Sequence, residues 1–276
     1  MLGDTVGDTG GMQRTVSAYL SAQAMGPATV ELQVAVAGSA DETLSVTLDG
    51  WQLEPTVLDT EAGGRMHVVE VTAGRLEVSY RAELAGALDA PPVGALDRST
   101  YLRPSRYAES DRLGALARVQ FSHVDDPAKL VLAVAKWVAE RTFYVSGRSR
   151  GTDGAVDALL AGEGVCRDYA HLVVGVLRAL NVPARLVSVY APGLAPMDFH
   201  AVAEALVDGS WYVVDATRLA PRSSLVRIAT GRDAADVSFL SAYGGEVRLD
   251  WVEVTAFIEG YLPLDDHLDV AVLGSA

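Results

Sequence analysis

One cysteine stands in a setting that suits a nucleophile. Cys166 is the sole cysteine of the 276-residue chain, and it follows the turn Glu163-Gly-Val at the start of a long apolar run. This run, residues 166–180, is predicted to be a central helix with Asp168 in its first turn. Free backbone N–H groups at a helix N-terminus favour a thiolate and can hold an oxyanion. The alternative is a small buried hydrophobic residue without chemistry, which is the common role of a lone cysteine.

An imidazole and a carboxylate are predicted to meet on a hairpin further along the chain. Two strand-like runs flank Asp208-Gly209, which is typical of a type I′ turn. A two-residue loop makes His200 and Asp215 diagonal neighbours on one face of the hairpin, whereas a three-residue loop would separate them onto opposite faces. An imidazole oriented by a carboxylate is the base that a thiol nucleophile requires.

Nearby polar residues have a structural alternative to a catalytic role. His171 follows Cys166 by five residues, roughly 140° around a helix, so it is expected to point away from the thiol. Glu204 shares the face of His200 and could contact it, but an ordinary exposed strand glutamate is the expectation. Tyr144 is a candidate second donor to an oxyanion and hence a substrate-binding residue, and its alternative is a core tyrosine.

Arginines crowd the segment that follows Asp215. They could bind a substrate carboxylate, such as that of a γ-glutamyl compound or a peptide C-terminus, and Arg218 is the candidate taken forward. The alternative is that they pair with nearby acidic residues on the surface. The four are Arg218, Arg222, Arg227 and Arg232.

The N-terminal part of the chain is predicted to form a small all-β, sandwich-like domain. Residues 15–84 alternate apolar and polar side chains with period 2, and turn signals separate the runs. The segment 89–100 is rich in Pro and small residues, so it is predicted to be a linker. We therefore expect a disordered tail at residues 1–12 and the β domain at residues 13–88.

Residues 101–276 are predicted to form the domain that carries the chemistry. Asp126-Pro127 is typical of a helix start, because proline suits the first helical turn. Helices followed by antiparallel strands predict an α+β fold for this domain. The predicted helices are 128–142, 153–161 and 166–180, and the predicted strands are 184–190, 200–207, 211–216 and 247–257.

Composition excludes several classes of function. Lys+Arg number 22 and Asp+Glu number 36, and the net charge of −14 disfavours nucleic acid and anionic membrane surfaces as partners. The five histidines and the acidic residues lack metal-binding spacing, and one cysteine excludes a disulfide within the chain. The N-terminus lacks a signal-peptide pattern, and no uncharged apolar run reaches the ~18 residues of a membrane helix. We therefore expect a cytoplasmic protein without metal or cofactor.

Four segments of the predicted second domain carry distinctive motifs. They are Gly164-Val-Cys-Arg-Asp-Tyr-Ala-His-Leu, Arg178-Ala-Leu-Asn-Val-Pro-Ala-Arg, Met197-Asp-Phe-His-Ala and Trp211-Tyr-Val-Val-Asp-Ala-Thr-Arg. Together they resemble the transglutaminase-like superfamily over about residues 100–245, and the N-terminal domain resembles its bacterial branch by layout. The resemblance implies a papain-like core in which Cys166 is the nucleophile, His200 the base and acid, and Asp215 the residue that orients the histidine.

Two positions depart from the usual pattern of that family. Ala-Val-Ala follows His200 where the family often has Ala-Trp, so an aromatic wall beside the histidine is absent. Ala216 follows Asp215 where proline is usual, which leaves the backbone less restrained at that point. Neither difference removes a catalytic group, although the first could alter how a substrate fits.

The leading hypothesis is a cysteine-dependent acyl-transfer enzyme that acts on amide bonds through a thioester, without a cofactor. Hydrolysis is favoured over cross-linking, and the expected substrates are glutamine, isopeptide or peptide amides, including small γ-glutamyl compounds. The first alternative is a catalytically silent peptide-binding module of the same fold. An acyltransferase with a thioester donor, as in arylamine N-acetyltransferases, ranks last.

Overall fold

The computed structural model describes residues 12–275, in which a two-sheet β sandwich packs against an α+β core. Of the predicted tail at 1–12, only Met12 lies within the described residues. Alternating apolar side chains point inward from both sheets and share one hydrophobic core. The first strands of the sandwich are β1 (Gln13–Ala24), β2 (Ala28–Leu32), β3 (Asp41–Leu48), β4 (Trp51–Leu53), β5 (Thr56–Asp59), β6 (Arg65–Val71) and β7 (Gly74–Ala85).

The helices and the remaining strands follow. The helices are α1 (Asp97–Tyr101), α2 (Ser110–Phe121), α3 (Pro127–Arg141), α4 (Ala155–Ala161) and α5 (Cys166–Ala179). The strands are β8 (Phe143–Tyr144), β9 (Glu163–Gly164), β10 (Ala184–Tyr190), β11 (His200–Val207), β12 (Ser210–Val214), β13 (Val226–Gly231), β14 (Leu240–Tyr243) and β15 (Val247–Ile258). Within residues 12–275, no helix has the length and apolar character that crossing a membrane requires.

Helix α5 is the centre of the α+β core. It packs against α2, α3, α4 and β11, and its residues 168–178 are all buried, which agrees with the prediction of a central helix that is apolar on most faces. The sheet beside it has the strand order β12-β11-β10-β13. The predicted start of α3 is confirmed, because Pro127 is its first residue and Asp126 Oδ1 accepts the Lys129 N–H at 2.9 Å. The α+β fold class is therefore as expected.

The hairpin that joins β11 to β12 has the predicted two-residue loop. Val207 pairs with Ser210, and Asp208 and Gly209 have φ angles of 48° and 79°, which suit a type I′ turn. The pairing continues to Ala203 and Val214 without a bulge. The register that places residues 200 and 215 on one face is therefore confirmed.

The C-terminal strands differ from the prediction. The strand expected at 247–257 is present as β15, but it does not join the sheet of the predicted 101–276 domain. It pairs with β1 along the edge of the sandwich, and β14 pairs with β2 in the second sheet. Alternation indicates a strand but not its partner, so the sequence pattern could not assign β15 to a sheet. The predicted linker is also partly helical, since α1 begins at Asp97.

A fragment of residues 101–276 is expected to lack a cooperative thermal transition. It would carry β14 and β15 without β1 and β2, and the buried side chains of Val254 and Ala256 would lose the core that they share with the sandwich. Circular dichroism and thermal unfolding of the fragment and the full chain would measure the difference. A fragment that melts as sharply as the full chain would support the predicted boundary at residue 101 instead.

Candidate active site

Cys166 is the first residue of α5 and is partly exposed. The preceding turn is held from within the helix, because Asp168 Oδ2 accepts the Val165 N–H at 2.8 Å. A Cβ at Gly164 would lie 2.7 Å from the Cβ of Asp168, so glycine is required for this close approach. The thiol thus stands at the N-terminus of a buried helix. Asp168, in the first turn of that helix, holds the preceding turn in place.

His200 and Asp215 form a buried pair on the hairpin. The distance between His200 Nε2 and Asp215 Oδ2 is 2.9 Å, and the two side chains are 0% and 1% exposed. Burial alone would lower the pKa of His200, but the adjacent Asp215 carboxylate and the Cys166 side chain outweigh it and raise this pKa to about 10. Burial would conversely raise the pKa of Asp215, but the attraction of His200 and hydrogen bonds from Thr217 lower it.

The second ring nitrogen of His200 is available to the cysteine. Because Asp215 occupies Nε2, Nδ1 is the ring nitrogen of His200 that is left to interact with Cys166. The charge and hydrogen bonding of Cys166 both act on this ring and raise its pKa, so the thiol lies beside it. The structure therefore brings together the three residues that the sequence predicted, in the order sulfur, imidazole, carboxylate.

Tyr144 lies next to the thiol rather than in a core. It is 45% exposed, and β8 is held beside the cysteine turn because the Val145 N–H donates to Gly164 O at 2.9 Å. Burial, followed by the charge of Cys166, raises the pKa of Tyr144 to about 12, although the backbone of Cys166 partly opposes this. Its hydroxyl is protonated at neutral pH, as in an ordinary tyrosine, and can donate a hydrogen bond to a group bound at the sulfur.

His171 has the structural role expected of it. The side chain is fully buried, its Nε2 accepts the Ala234 N–H at 3.1 Å, and its ring stacks on Tyr107 at 5.4 Å between centroids. Burial lowers the pKa of His171 to about 3, so the ring stays neutral at physiological pH.

The four arginines after Asp215 do not form one cluster. Arg218 is exposed and makes no ion pair with any residue between 12 and 275. Its expected role toward a substrate stays a prediction. The other three pair with acidic residues, two of these pairs being buried rather than on the surface. The pairs are Arg222–Asp265, Arg227–Glu204 and Arg232–Asp236.

The expectation that Glu204 is an exposed strand residue is wrong. It is 1% exposed, Arg185 Nε donates to its Oε2 at 2.8 Å, and Arg227 Nη1 donates to the same oxygen at 3.1 Å. The Arg185 guanidinium in turn lies 3.8 Å from the ring centroid of Trp211. The three charges come from adjacent strands, so only the cross-strand register reveals that they meet.

Thr217 was not singled out in the sequence, although it lies in the segment that carries Asp215. Both its backbone N–H and its hydroxyl donate to Asp215 Oδ1, at 2.9 and 2.7 Å. A hydroxyl residue two positions after an aspartate is a signal that could have found it, because such pairs form turns closed by the side chain.

Relatives of the chain were found by sequence. The family described as the transglutaminase-like superfamily matches residues 114–216. An uncharacterized protein of Mycobacterium leprae is 29% identical over an alignment of 169 positions. The alignment covers 56% of this chain and 60% of that protein. The aligned part of the chain thus spans about three fifths of the length of this curated relative.

Solved structures give a longer match. The crystal structure of a candidate cysteine protease from Cytophaga hutchinsonii is similar with a TM-score of 0.83 and 31% identity, over 94% of this chain and 96% of that one. The periplasmic domain of TgpA from Pseudomonas aeruginosa gives a TM-score of 0.40 and 18% identity, over 78% and 92% of the two chains. Because the first match runs nearly end to end and the family match includes Cys166, His200 and Asp215, the chain belongs to the transglutaminase-like superfamily.

Proposed function

We propose that this protein is a cysteine-dependent acyl-transfer enzyme that acts on amide bonds through a thioester. The observation that carries the proposal is the buried 2.9 Å contact between His200 and Asp215, with Cys166 on the other side of the ring. In such an arrangement the thiol forms the covalent bond to the substrate, and the imidazole, oriented by the carboxylate, transfers the proton. Membership of the superfamily and the similarity to a candidate cysteine protease support the same class of reaction.

In the first half of the reaction, Cys166 Sγ attacks the carbonyl carbon of the amide. Cys166 is the first residue of α5 and has the ring of His200 beside it, which suits its sulfur to act as the nucleophile. Because the pKa of His200 is raised to about 10, the ring carries a proton at neutral pH and can give it to the leaving nitrogen. The C–N bond breaks, an S–C bond forms, and the amine departs.

Two donors converge where the carbonyl oxygen becomes negative. We propose that one is the backbone N–H of Cys166, at the start of α5, and that the other is the hydroxyl of Tyr144, which lies beside Cys166. With a pKa of about 12, the hydroxyl carries its proton at neutral pH, as an ordinary tyrosine does, and it can stabilise the oxyanion by donating a hydrogen bond. Tyr144 is therefore proposed as a substrate-binding residue.

In the second half, water resolves the thioester with His200 as base, and hydrolysis is favoured over transfer to an amine. Cys166 is partly exposed, and Val202 stands where the family often has a tryptophan after His200. A wall that would exclude water is therefore missing on that side. The substrate is proposed to be a peptide or protein amide or a small γ-glutamyl compound, and the cytoplasmic location stays a prediction.

The proposal is tested at Cys166, whose uniqueness makes the readout unambiguous. Iodoacetamide is expected to add one carbamidomethyl group to the wild type and none to Cys166→Ala, as measured by intact mass. The alkylation rate of the wild type near neutral pH should exceed that of free cysteine, and His200→Ala should remove this excess. Amidase activity against a panel of glutamine and peptide amides should fall by roughly 10³- to 10⁶-fold in Cys166→Ala.

The silent binding module predicts different results in the same experiment. Its thiol would react no faster than free cysteine, and an electrophilic glutamine analogue would leave no adduct on Cys166. Peptides would then bind equally well to the wild type and to Cys166→Ala. That combination would replace the enzyme with a binding protein of the same fold.

A further inference from the structure

The two oxygens of the Asp215 carboxylate have different partners. Oδ2 lies 2.9 Å from His200 Nε2, whereas Oδ1 accepts the N–H of Thr217 at 2.9 Å and its hydroxyl at 2.7 Å. The Asp215 side chain is 1% exposed, so water does not compete for these positions. Each oxygen therefore contacts one residue, Oδ2 contacting His200 and Oδ1 contacting Thr217. Rotation of the carboxylate would break all three contacts.

The backbone alone does not orient this carboxylate. Strand β12 ends at Val214, so Asp215 lies just beyond the ladder of hydrogen bonds that fixes the hairpin. The next residue is Ala216, which has two free backbone torsions where a proline would have one. The side-chain contacts of Asp215 must therefore supply the restraint that the main chain lacks.

The hydroxyl of Thr217 is itself directed. Its oxygen accepts the N–H of Leu219 at 3.4 Å, which leaves its own proton to point at Asp215 Oδ1. A donor fixed in this way distinguishes the two oxygens of the carboxylate, because only one of them can receive it.

We propose that Thr217 is a positioning residue, which holds Asp215 so that Oδ2 faces the ring of His200 and keeps the ring turned toward Cys166. The inference rests on the proposed acyl-transfer function and adds a residue to it. Thr217 touches neither the substrate nor the reacting atoms, and its effect passes through the carboxylate. A hydrogen bond to a charged carboxylate is among the stronger ones in proteins, so its loss should be measurable.

The test compares Thr217→Val with Thr217→Ser. Valine keeps the shape and the backbone N–H but loses the hydroxyl, whereas serine keeps the donor. We expect Thr217→Val to lower kcat by about 10- to 100-fold with little change in KM, and Thr217→Ser to stay within about 3-fold of the wild type. In an Asp215→Asn background, Thr217→Val should add little further loss, because both changes act on the same contact.

A pH profile separates positioning from a merely structural role. The contact of Asp215 with His200 raises the pKa of the imidazole. A carboxylate that is free to turn will raise it less, so the alkaline limb of kcat against pH should move to lower pH in Thr217→Val and stay in place in Thr217→Ser. If Thr217→Val does not fold, Thr217→Ala carries the same expectation, and melting temperatures report the fold in each case.

The outcomes distinguish this inference from the function on which it rests. A Thr217→Val protein with wild-type kcat and pH profile overturns the positioning role and leaves the acyl-transfer proposal intact. Equal losses in the valine and serine variants, with an unchanged pH profile, also overturn it. A wild type without Cys166-dependent reactivity overturns both.

Discussion

Replacement of Asp215 by Asn is expected to lower kcat/KM by roughly 10²- to 10⁴-fold. Asn keeps the size of the side chain, but it loses the charge that holds the His200 imidazole in its protonated, oriented form. The amide can also present N–H₂ to the ring, which favours the wrong tautomer. Because the pair is buried, solvent cannot supply the missing acceptor.

The substitution Asp215→Asn is also expected to shift the pH dependence of activity in one direction, toward lower pH. The carboxylate favours the charged imidazole, so its removal lowers the pKa of His200 from about 10. Activity that requires the protonated ring should therefore disappear at lower pH than in the wild type. The measurement is kcat/KM against pH, with melting temperature as the check on folding.

Asp208→Asn is the matched control for this prediction. It is the same substitution on the same hairpin, at an exposed turn position with a φ of 48° that asparagine tolerates. It should leave activity and pH profile unchanged. If Asp215→Asn proved as active as Asp208→Asn, the buried pair would have no part in the reaction.

Replacement of Glu204 by Gln is expected to destabilise the fold by roughly 3–5 kcal/mol. Glu204 is the single carboxylate that Arg185 and Arg227 share, and the side chains of all three are at most 7% exposed. Gln matches the shape but leaves two buried guanidinium groups without a negative charge. A buried charge without a partner destabilises the folded state by far more free energy than an ion pair at the surface contributes to it.

Chemical denaturation of Glu204→Gln measures this loss, and Asp236→Asn provides the comparison. Asp236 also pairs with an arginine, but its partner Arg232 is 55% exposed. Loss of such a partly solvated pair should cost less than about 1 kcal/mol. Equal effects of the two substitutions would show that the Glu204 cluster is effectively solvated and would refute the prediction.

The candidate site was predictable because its geometry is local in the sequence. The hairpin loop Asp208-Gly209 determines the register, and the register determines which residues of the two strands share a face. The start of α5 at Cys166 is also indicated locally, because a turn ends just before this residue and an apolar run begins just after it. Local rules therefore place the sulfur, the ring and the carboxylate on their elements before any tertiary structure is known.

Long-range partners could not be predicted in this way. Glu204 lies opposite Arg185 on the neighbouring strand, and Arg227 reaches it from the strand beyond. The alternation of residues along β11 is the same for a buried glutamate with two arginine partners and for an exposed glutamate, so it does not distinguish them. The same limit applies to β15, whose alternation fits the edge of either sheet, and to Tyr144, whose place beside Cys166 depends on a two-residue parallel pairing.

The return of β15 to β1 makes the order of synthesis matter. The β1 strand is made before the strand that covers its edge, which follows more than two hundred residues later, after the whole segment with Cys166, His200 and Asp215. Topologically, the segment that carries these three residues is an insertion within the sandwich. During translation the inserted core can bury its own helix and sheet before β15 has been made, so the uncovered edge of β1 is open to mispairing at that stage.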